Sequence, residues 1–478
     1  MSLFALIGLP IALQTQQTNE LTVYNQGFAL VKETRMLNLR LGRQEVALED
    51  VAALIEPSSV GITSLTDPKS LEVWEQNYQY DLINTMAILD KAVGQQIKLN
   101  RILPNGTKEV IVGTLLSSPT AIVNAEGGPQ YTYNGMVLQT NDGRILLNPS
   151  GEIEVSSIPE GMISKPTLIW DLMASKTGEN EVEVTYTTRG MSWTADYVLM
   201  LNDSTTLADL KGWVSMTNNS GKTFKNAKLK LLAGDVQRLM GGGPGGFGGG
   251  GARGAFAKME DNSFKEEALF EYHLYTLQRP ATLRNKEMKQ LSLLEGKGVK
   301  VTKKLIIDSM TGWGQYYPSE NLVGTGVMKP QVRIEFKNTK KNNLGIALPQ
   351  GKFKVYQRDK SGSVQMLGED QIQHTPKEET ISLVVGKSFD VVVERKRLNF
   401  EWVSRNNPYI VRETFEVELR NRKDTPETVH VLERHYGDWR VVSKSMDFDK
   451  LDAITMKFLV PLKAGETKKV TYTVETRW

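Results

Sequence analysis

Apolar and polar residues alternate with a period of two along most of this chain. The clearest stretch is Val182–Val236. There, Val182, Val184 and Tyr186 alternate with Glu183 and Thr185, the pattern of a half-buried strand. Arg189-Gly190 interrupts the run. Trp193, Ala195, Tyr197, Leu199 and Leu201 then resume it, and Asn202-Asp203-Ser204 forms a turn cluster, since short polar side chains bond back to the local backbone. A third strand is predicted from Trp213 to Asn218, followed by a turn at Asn219-Ser220-Gly221-Lys222. In a fourth, Ala227, Leu229 and Leu231 face inward against Lys228 and Lys230. Strands at this spacing predict an antiparallel sandwich or barrel.

The same reading divides the chain. Leu21–Val31 and Glu45–Leu48 open an N-terminal β unit over 18–95. Its one helix is predicted at Asp81–Val93, where Leu82, Met86 and Leu89 recur at helical spacing and Gly94 stops the run. Short strands follow, with hairpin turns at Asn105-Gly106 and Asp142-Gly143. They predict a small SH3-like barrel over 96–160, ended by Pro159 and Pro166. One β-sandwich is expected over 161–330 and a C-terminal one over 331–478. Ten of the fourteen residues in Gly241–Gly254 are glycine. Such a segment cannot bury a core, so a disordered loop is expected at 240–262. The predicted fold class is all-β and multidomain, with antiparallel β-sandwiches, the small barrel and very little helix.

Composition narrows the function. The 478 residues carry 58 basic and 55 acidic side chains, a net charge of +3. That balance gives no general electrostatic grip on nucleic acid, so no nucleic-acid partner is expected. Lys297, Lys300, Lys303 and Lys304 form a local basic run. It reads first as a solvated strand face and alternatively as a contact for an anionic partner. There is no cysteine, which excludes disulfides, thiolate metal sites and a cysteine nucleophile. The apolar run Leu3–Leu13 is too short for a transmembrane segment but has the length of a secretory-signal core. Residues 1–17 are therefore expected to be a signal segment, and the protein periplasmic or extracellular. A first β-strand is the alternative.

No catalytic set stands out among the polar residues. The four histidines are His273, His374, His430 and His435. His430-Val431-Leu432-Glu433-Arg434-His435 resembles a zinc motif in composition only. On a strand, His430 points away from Glu433 and His435, so no metal and no cofactor are expected. Ser220-Gly221-Lys222-Thr223 ends like a phosphate loop, but Met216 stands where that motif requires glycine. The strongest polar group is Glu369, Asp370, His374, Glu378 and Glu379, beside Pro376, which fixes an extended loop. It is a candidate binding or ion site, with a strand-connecting loop as the plain alternative. Among the tryptophans, Trp170, Trp193, Trp213, Trp313, Trp402 and Trp439 offer a sugar-stacking platform or core filling. Trp193 and Trp213 are expected in the core. Trp313, Tyr316 and Tyr317, flanked by glycine, are the candidate exposed aromatic cluster.

Several stretches also resemble a known family. They are Met191–Tyr197, Gly212-Trp213-Val214, Asn219-Ser220-Gly221, Leu232-Ala233-Gly234-Asp235-Val236, Tyr272-His273-Leu274-Tyr275, Asn343–Pro349 and, most specifically, Gly368–Glu379. Over about residues 165–478 the chain resembles a bacterial domain of unknown function whose better-named members are called mucoidy-inhibitor-like proteins. The resemblance implies an exported bacterial all-β protein without an assigned reaction, and it supplies no catalytic residues. The expectation is a non-catalytic protein that binds or scaffolds at the bacterial cell envelope, with a surface protein or a glycan as partner. The alternatives are a self-assembling surface component and a carboxylate-dependent hydrolase acting on glycans.

Overall fold

The computed structural model describes residues 16–118, 120–125, 128–133, 135–238, 264–310, 318–321 and 324–478. The expected signal segment, apart from the backbone of residues 16–17, therefore lies outside the described residues, as does the glycine-rich stretch. Strand accounts for 63% of the structure and helix for 3%, which makes the fold all-β and multi-sheet. Most pairs are antiparallel. Among the described strands three pairs are parallel: Gln16–Tyr24 with Phe224–Ala233, Met191–Leu201 with Gly351–Arg358, and Thr302–Asp308 with Glu427–Arg434.

Alternation became packing as the pattern dictated. Val182, Val184, Tyr186, Trp193, Ala195, Tyr197, Leu199, Leu229 and Leu231 are all buried in one large core. Two sheets enclose much of it. One carries Gln16–Tyr24, Phe28–Leu39 and Gly178–Arg189 side by side, and the other carries Leu207–Asn218, Met191–Leu201 and Gly351–Arg358. Gly190 takes the chain from the first sheet to the second. Its φ is +80°, and a Cβ there would lie 2.9 Å from the Asn219 carbonyl oxygen, so a side chain would be strained and crowded at once.

Strands from the expected N-terminal unit share sheets with later ones. Phe28–Leu39 pairs along its whole length with Gly178–Arg189, and Gly42–Glu49 and Leu71–Gln79 flank Thr167–Ala174. Likewise, Thr302–Asp308 pairs with Gln331–Lys337 across residue 331. That sheet serves two cores. Ile334, Phe336, Ile381 and Leu383 belong to the large core. Leu305, Ile307, Val429, Val431 and Phe458 face a C-terminal core, opposite Val393, Phe415, Val417 and Tyr472.

The segment 96–155 forms a five-stranded antiparallel sheet in the order Ile145–Leu147, Val137–Thr140, Lys108–Ser117, Gln96–Ile102, Glu152–Val155. Its end strands are not hydrogen-bonded to each other among the described residues, so by pairing the sheet is open. The helix is shorter than its periodicity predicts. It runs Thr85–Lys91, because the Asn84 side chain accepts the Ala87 N–H as N-cap. Residues before it are claimed by tertiary pairing: Leu82 bridges Ile163. Trp213 is a second correction. Its strand buries Leu210, Val214 and Met216 and leaves Trp213 38% exposed on the other face. An indole between Gly212 and Val214 is out of phase with the core.

Candidate functional site

The sequence motifs converge on one place. Gln16–Tyr24 and Phe224–Ala233 run parallel, so the residues that follow them, Asn25 and Gly234-Asp235, emerge at the same end of the sheet. The strand Tyr272–Leu277 pairs alongside and brings His273 there. The Pro349-Gln350 segment and His374 arrive from the facing sheet, held by a reciprocal backbone bridge between Leu348 and Thr375, 2.8 and 2.9 Å. Tyr197 and Tyr275 fix the same segment from below through hydroxyl bonds to the carbonyls of Pro349 and Ala347.

His374 is the hub. Its Nδ1 accepts the Gln350 N–H at 3.1 Å, and its Nε2 lies 3.4 Å from the Asn25 amide. A neutral imidazole has one acceptor nitrogen. Gln350 takes it, so Nε2 carries the proton. The Asn25 nitrogen faces Nε2 and its oxygen is buried without a partner; exchanging the two ends of the amide lets the oxygen accept that proton. Burial holds His374 below the usual histidine range. His273 pushes the same way and Asp235 opposes it. Beside it, His273 Nδ1 lies 2.9 Å from Glu266, which also receives the Ala347 N–H at 3.3 Å and faces Lys377 at 3.9 Å. Burial alone would raise the Glu266 carboxyl, but His273, Lys377 and that amide outweigh it and hold it low.

The remaining candidates do not gather around His374. Glu369 and Asp370 are neighbours on the strand Val364–Ile372 and leave it on opposite faces. Glu369 is exposed, 3.8 Å from Lys354. Asp370 accepts two backbone N–H groups, from Gln371 at 2.8 Å and Val384 at 2.7 Å. Glu378 and Glu379 are exposed on a turn whose backbone is tied to Asn338. A two-carboxylate hydrolysis requires both groups aimed at one bond, and this placement gives it no support. Trp313, Tyr316 and Tyr317 lie outside the described residues.

His430 faces outward while Glu433 and His435 point into the C-terminal core, as alternation predicts. Among the described residues no group of three His, Asp or Glu side chains is arranged to hold a metal. No described helix is long and apolar enough to cross a membrane.

Two features escaped the sequence reading. The first is a buried charge cluster. Lys222 Nζ meets Glu33 at 2.6 Å, Tyr186 OH donates to the same oxygen at 3.1 Å, and Arg35 Nε donates to the other at 3.1 Å. All four residues are buried. Burial pushes Lys222 down, Glu33 opposes this and Arg35 adds to it. For Glu33, burial works upward, but the two cations win and keep it ionised. The signal was present: Glu33 and Arg35 stand in phase with Val31, Leu37 and Leu39, on the inward face.

The second is a surface aromatic cluster at the end of the hairpin formed by Val391–Ser404 and Ile410–Asn421. Trp402 meets Phe400 edge-on at 5.9 Å and Trp478 at 6.1 Å, and Tyr409 stacks on Trp478 at 6.4 Å. The Arg405 guanidinium lies 5.4 Å over Trp402. Tyr409 is 44% exposed and the other three rings are half-buried. Reciprocal backbone bonds between Tyr409 and Trp478, 2.9 and 3.1 Å, pin the two rings together.

The chain matches no protein-family model and no curated protein.

Proposed function

We propose that this is a non-catalytic β-sandwich protein that binds a glycan through the aromatic hairpin end, at the bacterial cell envelope. The observation that carries this reading is the cluster of Trp402, Tyr409 and Trp478 at the surface. Aromatic rings this large normally serve as core, and here they are held on a rigid hairpin with polar groups at their rim. A sugar ring has an apolar C–H face and a hydroxylated edge. The rings take the face. The nearby charged groups are Arg405, which a sugar would displace from over Trp402, and the Arg412–Glu401 pair at 3.7 Å, and they offer partners for the hydroxyls. By contrast, His374 has no free lone pair for a substrate proton, and Asp370 is committed to backbone amides. The envelope location rests on the Leu3–Leu13 run and on the family resemblance. Affinity electrophoresis through gels containing envelope polysaccharides tests the reading. Retardation of the full chain that a Trp402→Ala variant loses is the expected result, and equal mobility of both in every gel refutes it.

A scaffolding reading has one observation in its favour. Leu71–Gln79 is an edge strand with Val73 39% and Trp74 47% exposed, a template for pairing with a second copy. Light scattering over a concentration series decides: a mass that stays monomeric removes it.

A further inference from the structure

The C-terminal sandwich also carries a concave basic site. We infer that the groove at the end of the shared sheet binds a phosphate monoester on a sugar-sized group. Three strand ends build it. Thr302–Asp308 and Glu427–Arg434 run parallel, so their first residues lie together. Thr455–Leu462 is antiparallel to the second and brings Leu462 opposite Glu427. The turn through Gly465 then closes the end. The groove has a volume of about 580 Å³, within the range of sites that hold a small organic ligand and larger than a bare phosphate needs.

Its charge is unbalanced. Lys303 and Lys423 both bind Glu427 Oε1, at 2.8 and 2.7 Å. Glu466 already receives the Lys463 backbone N–H at 2.6 Å. Lys468 Nζ reaches only the Pro461 carbonyl, at 3.4 Å. Lys303, Lys463 and Lys468 line the groove and Lys423 neutralises Glu427 from beside it, so four ammonium groups stand against two carboxylates, an excess of two positive charges. The neighbouring cations Lys304 and Lys457 are balanced by Glu335 and Asp449. His430 lines the groove, and burial with Lys304 and Lys457 holds it below the usual histidine range, with Glu335 opposing. It is therefore neutral and offers a ring N–H. A phosphate monoester carries about −1.5 to −2 at pH 7, which matches the excess. Pro426 and Pro461 line the groove with apolar surface for the attached group.

This site is separate from the aromatic hairpin end and stands whether or not that surface takes a glycan. Calorimetric titration of the full chain with glucose 6-phosphate, glucose and inorganic phosphate tests it. Glucose 6-phosphate is expected to bind more tightly than either other probe. Raising ionic strength from about 0.01 to 0.15 M shortens the screening length from about 30 to 8 Å and should weaken it. Lys463→Gln with Lys468→Gln should cost about tenfold in affinity. Glu427→Gln, which removes a competing carboxylate, should raise affinity by about threefold. The lysine double variant, which removes only surface charges, should keep the wild-type unfolding midpoint. Absence of heat with glucose 6-phosphate, an unchanged affinity in the double variant, or equal binding of free phosphate overturns the proposal.

Discussion

Glu33, Arg35 and Lys222 place two buried cations against one buried carboxylate. The consequence is an asymmetry between substitutions. Glu33→Gln leaves two buried cations without their partner and should cost about 3–5 kcal/mol. Lys222→Met keeps the Glu33–Arg35 pair and should cost about 1–2 kcal/mol. Urea unfolding of the two variants checks the order, and a larger loss for Lys222→Met contradicts the charge count. His435 gives a pH signature. Burial, with Arg395 adding to it, pushes its pKa down to about 3, so the folded protein refuses a proton that the unfolded chain takes below its ordinary 6.5. Its contribution is complete above pH 6.5 and is lost as the pH falls toward 3, by about 1.4 kcal/mol per unit. Between pH 6.5 and 5 the wild type should lose about 2 kcal/mol more than His435→Gln. The same loss in both would show that His435 already titrates when folded. At this scale the sequence was legible wherever phase was consistent. Trp193 was expected in the core and is buried, whereas Trp213 was expected there too and is exposed, because its place between the inward Gly212 and Val214 puts it on the other face. Glu33 and Arg35 were equally readable, but an inward charge becomes meaningful only when its partner, Lys222, is found 189 positions away.

Among the elements, strands were legible and their partners were not. Alternation marks a strand and its buried face, but it does not say which distant strand lies alongside. The parallel pairing of Gln16–Tyr24 with Phe224–Ala233, which creates the convergence at His374, has no local signal. The helix was overextended because periodicity cannot see that Leu82 is claimed by Ile163. One close junction joins two sheets within the large core. Val364–Ile372 lies so close to Thr380–Lys387 that a Cβ on Gly368 would sit 2.1 Å from the Val385 carbonyl oxygen, and Asp370 accepts the Val384 N–H. Gly368→Ala should therefore destabilise by about 2 kcal/mol or more, because backbone has to move. Asp370→Ala should cost about 1–3 kcal/mol through the unsatisfied amide. Thermal unfolding of both variants measures this, and an unchanged Gly368→Ala midpoint would mean that the strands are not packed this closely.

For the whole molecule, the all-β class and scarcity of helix could be read from the chain, and the surface that suits recognition could not. The candidate site was found as a composition, and the fold separates it: Glu369 forms an ion pair, Asp370 caps two amides, His374 ties Gln350 to Asn25, and the Glu378 and Glu379 side chains stay exposed. The aromatic surface was one of several equal tryptophans in the sequence. Only the meeting of Trp402, on one strand, with Trp478, just past the end of another, makes it a platform. The central claim is that this platform binds a glycan, and a glycan array probed with the full chain, Trp402→Ala and Trp213→Ala tests it most directly. The account predicts that at least one glycan class is retained by the wild type and by Trp213→Ala, and is weakened about tenfold or more by Trp402→Ala. Retention that survives Trp402→Ala, or no retained glycan at all, contradicts it.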